Sequence, residues 1–338
     1  MNDSSHLIKE MQAAISSELE SCIQILMEPS PQELTAMVRY QLGIQDTTGQ
    51  KSTGKRLRPL IVLATCHSLG GRWQEALQAA AAVELMHNFS LIHDDIQDQS
   101  RLRRGKDTLW VKWGIPQAIN AGDAMLVLSN LEGGRNLHAH NEKTILVVNQ
   151  ILNTACLQLT HGQYLDLAYE TMEQVQPEDY IRMVRGKTGA LLAACFALGG
   201  VIAGQPQQTI DKLINLGNEI GIAFQIQDDW LGIWGNEEQT GKPATSDLLE
   251  RKKTFPVIKA LGTLPKFHNH WCVHADFSLE DVTILREMIT AAGLREDIGK
   301  EVDSLYIMAN DTMEGCFEDQ AGQDFIRQVT SSLWHRVD

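Results

Sequence analysis

An all-α fold is what this chain predicts, and three observations carry the prediction. Proline is absent between Pro59 and Pro116, between Pro116 and Pro177, and after Pro265. Those intervals are filled with Ala, Leu, Gln, Glu and Met at helical spacing, the residues that lose least on entering a helix. Alternating strand patterns, fixed-period repeats and low-complexity tracts are missing from the sequence. No linker rich in Gly, Ser and Pro divides the chain. The simplest architecture is therefore one helical domain over residues 1–338, a large bundle of helices around a central cavity.

The elements follow in order. Gly54-Lys55-Arg56-Leu57-Arg58-Pro59 opens a helix, since proline suits a first turn. Its cations and helix-terminal amides together form a candidate anion site. It is not the long phosphate loop of nucleotide hydrolases, which needs Gly-x-x-x-x-Gly-Lys-Ser/Thr. A helix over about 73–98 carries Leu77, Ala80, Val83, Leu85, Met86, Phe89 and Ile92 at apolar positions. Its four alanines, Ala79 to Ala82, let neighbouring helices approach closely. The helix ends before Gly105. Further helices are predicted at about 117–138, 142–170, 178–203, 207–234, 246–262, 279–292, 295–317 and 320–335. Ser278-Leu279-Glu280-Asp281 has the form of a capping box.

Two aspartate clusters end apolar helical runs, where bare carboxylates are costly. The first is Asp94-Asp95-Ile96-Gln97-Asp98, and the second is Asp228-Asp229 within Phe224-Gln225-Ile226-Gln227-Asp228-Asp229-Trp230. Asp94 and Asp98 share a helix face. Two carboxylates about 6 Å apart repel by roughly 3 kcal/mol at an effective dielectric near 20. Clusters of this kind call for cations. Mg²⁺ suits oxygen ligands and bridges to substrate phosphates.

Basic segments accompany both clusters. Arg101-Leu102-Arg103-Arg104-Gly105-Lys106 follows the first, and the planar fork of arginine matches phosphate oxygens. Arg185-Gly186-Lys187-Thr188-Gly189 lies inside a predicted helix, where each glycine costs about 1 kcal/mol. That pair points to a kink or a close helix approach, and a kink would tip Lys187 toward the cavity. After the second cluster, Gly241-Lys242-Pro243 forms a loop able to close over a site. The segment Ser246 to Thr254 follows it and contains Arg251-Lys252-Lys253. His268-Asn269-His270-Trp271-Cys272-Val273-His274 has metal-like residue types but no closed zinc spacing, and it reads as a loop.

Bulk composition limits the partners. Hydrophobic residues make up 43% and charged residues 21%, as in soluble globular proteins. A net charge of −14 disfavours a duplex nucleic-acid surface. No signal-peptide pattern occurs in the first thirty residues, and no uninterrupted apolar run approaches the ~18 residues of a membrane span. Six scattered cysteines without a Cys-x-x-Cys pair read as buried reduced thiols, which places the chain in the cytoplasm.

Taken together and in this order, these segments resemble the trans-isoprenyl diphosphate synthases, the polyprenyl synthetase family, most closely the short-chain geranylgeranyl and farnesyl diphosphate synthases. Ser90 to Asp98 with Arg103-Arg104-Gly105 matches the first aspartate-rich motif of that family. Phe224 to Asp229 with Gly241-Lys242-Pro243 matches the second. The resemblance runs from Gly54 to at least Lys253. It implies a Mg²⁺-dependent head-to-tail condensation of isopentenyl diphosphate with an allylic diphosphate, using up to three Mg²⁺ ions, in a homodimer. Asp94 and Asp98 would hold two ions on the allylic diphosphate and Asp228 a third, with Asp95 and Asp229 completing the acidic set. Arg103, Lys187 and Lys242 would clamp the allylic diphosphate. Lys55, Arg58, His87 and Arg104 would bind isopentenyl diphosphate, and Lys252 belongs to the substrate-binding set. Thr188 and Gln225 would stabilise the carbocation or its diphosphate partner by oriented dipoles.

The chain departs from the family pattern in two places. The third carboxylate of the second motif is Gly232, which puts full three-metal stoichiometry in doubt. Arg251 replaces a glycine common before the Lys252 position. Product length in the family depends on bulk before the first motif. Phe89 with small Ser90 and no two-residue insertion resembles geranylgeranyl diphosphate synthases, with farnesyl diphosphate the alternative product. A class I terpene cyclase would share the acidic motifs but not the second basic set of Lys55, Arg58 and Arg104. A non-catalytic subunit of a heteromeric synthase would have lost an acidic motif.

Overall fold

The computed structural model describes residues 2–27, 30–44, 56–135, 141–235, 246–273 and 276–334. The fold is all-α, with one small exception. The chain runs α1 (Asn2–Leu26), α2 (Gln32–Gln41), α3 (Leu57–Ser68) and α4 (Leu77–Gln97). A hairpin of β1 (Leu102–Arg103) and β2 (Lys106–Asp107) follows. Then come α5 (Leu109–Trp113), α6 (Ile115–Gly133), α7 (Glu142–Thr171), α8 (Pro177–Val184), α9 (Ala190–Ile202) and α10 (Gln207–Trp234). The last elements are α11 (Ser246–Leu249), α12 (Phe255–Thr263), α13 (Pro265–Val273), α14 (Leu279–Ala291), α15 (Leu294–Glu314) and α16 (Gln320–Thr330).

Most predicted helices are present, and the differences have local causes. The hairpin has strands of two residues, too short to show alternation. Its turn, Arg104-Gly105, has φ of 53° and 74°, the left-handed pair that a tight hairpin requires. The predicted helix 117–138 starts earlier, at Ile115, because Gly114 at φ 82° separates it from α5. The predicted helix 246–262 is broken into α11 and α12 by Arg251 at φ 55°. The segment read as a loop around His268 is instead α13, whose Phe267 and Trp271 bury themselves with rings stacked at 5.7 Å. The predicted capping box is formed: the Asp281 amide donates to Ser278 Oγ at 3.2 Å and the Ser278 amide to Asp281 Oδ2 at 2.9 Å. Such a cap contributes about 1 kcal/mol.

Contacts divide the chain into two compact units. The first comprises residues 1–156, 193–214 and 316–330; the second comprises 157–192, 215–315 and 331–338. In the first, α4 packs along α6. The alanines 79–82 are buried, and Ser129 of α6 reaches the backbone, donating from Oγ to Ala82 O at 2.8 Å. Gly199 of α9 meets Val62 O of α3, where an added Cβ would lie 2.6 Å away. The second unit is built on aromatic residues: Tyr180, Trp230, Trp234, Phe255, Phe267, Trp271 and Tyr306 are all buried. Trp230 Nε1 donates to Arg295 O at 3.0 Å and Trp234 Nε1 to Thr290 Oγ1 at 2.9 Å.

The six cysteines are free, and Cys22, Cys66, Cys195 and Cys316 are buried as the sequence predicts. Cys156 is half-buried and Cys272 is exposed, so these two differ from the expectation. Burial pushes the Cys66 and Cys195 thiols up to about 12, so both stay protonated. Among the described residues one helix, 177–202, is long and apolar enough to cross a membrane, but 72% of its apolar window is buried within the protein.

Candidate active site

Each unit carries one acidic motif at the end of a long helix. In the first unit, the last turn of α4 leaves Asp98 exposed, Asp94 partly exposed and Asp95 buried. The hairpin after α4 returns Arg103 to this turn. Its Nε donates to Asp95 Oδ1 at 2.8 Å and its Nη2 to Asp94 Oδ2 at 3.2 Å. The hairpin is itself pinned: Thr108 Oγ1 and Trp110 Nε1 both donate to Ser100 O at 2.9 Å. Burial raises the Asp95 carboxyl to about 6, against the lowering effect of Arg103. A polar cleft lined by Asn88, Leu91, Asp95, Arg103, Arg104 and Lys106 opens beside it.

The expected isopentenyl-binding cations are partly assembled in the same unit. Arg58 Nη1 donates to His87 Nε2 at 3.3 Å. The His87 imidazole is held well below its ordinary range, first by burial and then by the charges of Arg58, Arg104 and Arg103. It is therefore neutral, with Nε2 as acceptor. Glu84, which the sequence analysis missed, lies in the field of Arg56 and Arg58, and its acid group is raised by burial. Arg56, at φ 44°, donates to Ser16 Oγ at 2.6 Å and serves the fold. Lys55 lies outside the described residues.

Phe89 is buried one turn before the motif and meets the His93 ring edge-on at 5.0 Å. Ser90 spends its hydroxyl on the backbone, donating to His87 O at 2.7 Å.

In the second unit, residues Arg185–Gly189 form a π-helical turn between α8 and α9. Of the two readings of the glycine pair, the close approach is what the structure shows, at a π-helical turn. A Cβ at Gly186 would stand 2.7 Å from Gln158 O and 2.9 Å from Gly162 Cα. The turn directs Lys187 Nζ to Asp166 and Thr188 Oγ1 to Gln225 Oε1 at 3.0 Å. Gln225 Nε2 in turn donates to Asp229 Oδ1 at 3.2 Å. The opposite oxygen of Asp229 accepts from Tyr180 OH and from the Phe255 amide, the latter at 2.9 Å. Burial raises the Asp229 carboxyl to about 7. Asp228, one residue earlier, is exposed. Lys252 forms an exposed pair with Glu250 at 3.1 Å, the kind of pair that contributes little. Lys242 lies outside the described residues.

The two motifs are thus built alike. The second aspartate of each is buried and hydrogen-bonded within its own unit, while Asp98 and Asp228 face out and Asp94 is partly exposed. Sequence reasoning missed Tyr180, Asp166 and the Phe255 amide, which are distant in sequence from the groups they meet. The ion implied by the resemblance, Mg²⁺, fits the chemistry of these hard carboxylate oxygens: Asp98 and Asp228 are exposed, while Asp94 is partly exposed, with Oδ1 buried and Oδ2 on Arg103.

Paired acidic motifs on helices, each with basic side chains beside it, are the groups that a cation-bridged diphosphate requires, and comparison with known proteins makes the class specific. Residues 45–276 match the polyprenyl synthetase family. The chain belongs to that family and is a prenyltransferase. It is 38% identical over 261 residues to a geranylgeranyl diphosphate synthase of Mycobacterium tuberculosis, covering 76% of this chain and 72% of the relative. A (2E,6E)-farnesyl diphosphate synthase of Mycobacterium tuberculosis is 40% identical over 224 residues, 65% of this chain and 61% of the relative. The chain therefore spans less than two thirds of that second relative. The geranylgeranyl pyrophosphate synthetase of the archaeon Geoglobus acetivorans has the same fold, with a TM-score of 0.83 at 30% identity over 97% of this chain and 99% of that one.

Proposed function

We propose that this prenyltransferase condenses isopentenyl diphosphate head-to-tail with allylic diphosphates and releases mainly the twenty-carbon geranylgeranyl diphosphate. The carrying observation is the paired build of the acidic motifs, each with a buried, bonded second aspartate and outward carboxylates beside it. Asp94, Asp98 and Asp228 hold Mg²⁺. When bound, the metal takes up charge on the leaving diphosphate so that the allylic C–O bond can ionise.

The chain's own groups do the rest. Arg103, Lys187 and Lys242 hold the allylic diphosphate. Lys55, Arg58, His87 and Arg104 orient isopentenyl diphosphate, whose double bond attacks the cation, and Lys252 belongs to the substrate-binding set. Neutral His87 accepts from the Arg58 guanidinium, so the pair presents a fixed donor array. Thr188 and Gln225 turn oriented dipoles toward the cation, and their mutual bond fixes that orientation. The proton is lost to the departing diphosphate.

Phe89 sets the floor for the growing chain. Its burial against His93 supports that reading, and so does the resemblance to a geranylgeranyl diphosphate synthase. The farnesyl relative keeps fifteen carbons as the second reading. The chain works as a single cytoplasmic synthase domain and as a homodimer. Exposed Ile115, Ile119, Val127 and Leu131 on α6 and Leu146 on α7 support a shared apolar face.

The test is incubation of the purified chain with Mg²⁺, isopentenyl diphosphate and each allylic starter, with products identified by mass after dephosphorylation. A twenty-carbon alcohol is expected. A fifteen-carbon alcohol would keep the mechanism and overturn the floor. A hydrocarbon formed without isopentenyl consumption would overturn the synthase reading.

A further inference from the structure

Three cations stand in a row at Arg251-Lys252-Lys253, and the structure gives each a different place. Arg251 Nη2 donates to Trp271 O of α13 at 2.9 Å. Lys252 keeps its ammonium at the surface, on Glu250 at 3.1 Å. Lys253 turns to backbone: its Nζ donates to Tyr169 O at 2.8 Å, to Glu170 O at 3.4 Å and to Met172 O. Helix α7 ends at Thr171, so the carbonyls of Tyr169 and Glu170 are among its last four, which have no partner within the helix, and Met172 follows directly. A cation is favoured at that end, where the helix dipole is negative. Burial, and then the Arg251 charge, lower the Lys253 ammonium from its ordinary range, so its place requires acceptors, and the end of α7 supplies them.

We propose that Lys253 is a positioning residue: by capping α7 it fixes the loop between α11 and α12, and with it Lys252, on whose reading as a substrate-binding residue this assignment rests. The loop is held at both neighbours of Lys252, by Arg251 on α13 and by Lys253 on α7. Two residues further on, the Phe255 amide donates to Asp229 Oδ2 of α10 at 2.9 Å. A side chain that leaves the backbone between anchored neighbours has less freedom to lose on binding, which is the gain of preorganisation. The same stretch of α7 serves another lysine of the proposed site. Asp166, one turn before Glu170, bonds Lys187 Nζ. The end of α7 thus sets two ammonium groups, Lys187 directly through Asp166 and Lys252 indirectly through Lys253.

The experiment measures steady-state kinetics of the full chain for each diphosphate substrate in turn, with thermal melts alongside. Lys252→Met identifies the substrate that Lys252 holds, as the one whose KM rises. Lys253→Met keeps the reach of the side chain and removes its donors. It is expected to raise KM for that same substrate about tenfold, while kcat stays within about twofold. Lys253→Arg returns a cation that can donate to several carbonyls and should recover most of the loss. A merely structural role would lower the melting temperature and leave KM alone. If the methionine variant does not fold, Lys253→Gln, which keeps a donor and removes the charge, should raise the same KM. Unchanged KM in the Lys253 variants, with KM raised in Lys252→Met, overturns this inference alone, as does a rise that Lys253→Arg leaves uncorrected or one confined to the other substrate. Unchanged KM for both substrates in Lys252→Met overturns the reading of Lys252, and the inference with it.

Discussion

The phenol of Tyr180, on α8, donates its hydrogen bond to Oδ2 of Asp229, on α10, inside the second unit. Burial and the Asp229 charge hold the Tyr180 hydroxyl well above its ordinary range, so it remains a donor. Asp229 then has three donors: Tyr180 OH, the Phe255 amide and Gln225 Nε2. Tyr180→Phe removes one of them from a buried carboxylate. The expected cost is about 1–3 kcal/mol of stability. An approximately tenfold fall in kcat should accompany it, because Asp229 adjoins Asp228 and also fixes Gln225. Chemical denaturation and steady-state assays check both numbers; a stability loss with unaltered kcat would confine Tyr180 to the core.

Sequence reasoning could not find that tyrosine, for a physical reason. Helix periodicity says which side chains face inward, but not which inward-facing residue of α8 meets which one of α10, 49 residues away. The acidic motifs were legible because their neighbours lie within one turn, as Asp94, Asp95 and Asp98 do. The break at Arg251 was legible only as a departure, an arginine where glycine is common, because arginine itself does not mark a left-handed backbone. The His268 segment was misread because polar residues outnumber its two anchors, Phe267 and Trp271, which only the packed core reveals as helix-forming.

Arg251 gives a second test. Its φ of 55° is a conformation that costs a non-glycine residue roughly 1–2 kcal/mol. Its guanidinium lies 4.4 Å from the Phe277 ring centroid and 5.0 Å from that of Trp271, and Nη2 donates to Trp271 O at 2.9 Å. These contacts offset the strain and explain why the chain tolerates arginine where glycine is common. Arg251→Gly should lose the contacts and relieve the strain, while Arg251→Ala should lose the contacts and keep it. Urea denaturation should rank wild type above glycine and glycine above alanine, the last two separated by about 1 kcal/mol. The reverse order of the two variants would remove backbone strain from the explanation.

Two other glycines should respond in opposite directions. A Cβ at Gly162 would collide with the backbone of Lys187 and stand 2.6 Å from Gly186 C. Backbone cannot swing aside as a side chain can, so Gly162→Ala should cost about 1–3 kcal/mol. It should also displace Lys187 and Thr188, raising KM for the allylic substrate. Gly262, within α12, has nothing within 4 Å of its added Cβ. Gly262→Ala should therefore stabilise by about 0.4–1 kcal/mol and leave kinetics alone. Equal melting temperatures for the two variants would contradict the packing described.

His87 carries a pH signature. Its folded-state pKa lies well below the ordinary 6.5, chiefly through burial and then through Arg58. Below pH 6.5 the unfolded chain takes up a proton that the folded chain refuses, so stability falls as pH drops through this window toward the folded value. Above 6.5 both states are neutral and the residue contributes no slope. His87→Gln keeps a polar group of similar reach and cannot titrate. Melting curves from pH 8 to 5.5 should show the difference between wild type and variant shifting in favour of the variant on the acid side. A constant difference across that range would mean that His87 titrates normally in the fold.

The proposed floor at Phe89 requires that its ring be held still. The ring is packed edge-on against His93, four residues along α4. His93 in turn fits over Gly122 of α6, where an added Cβ would lie 2.5 Å from His93 Cδ2. Phe89 is thus backed by its own helix and, through His93, by its neighbour. Phe89→Ala should cost about 3–5 kcal/mol as a buried aromatic truncation. On the proposed floor, it should also lengthen the product by one or more five-carbon units. Gly122→Ala tests the same floor without touching Phe89: displacing His93 should broaden the product distribution at a smaller stability cost. Chromatography of the dephosphorylated products separates the cases. If Phe89→Ala yields the same chain length as wild type while Gly122→Ala alters it, the floor is formed by His93, and Phe89 serves only to pack the helix.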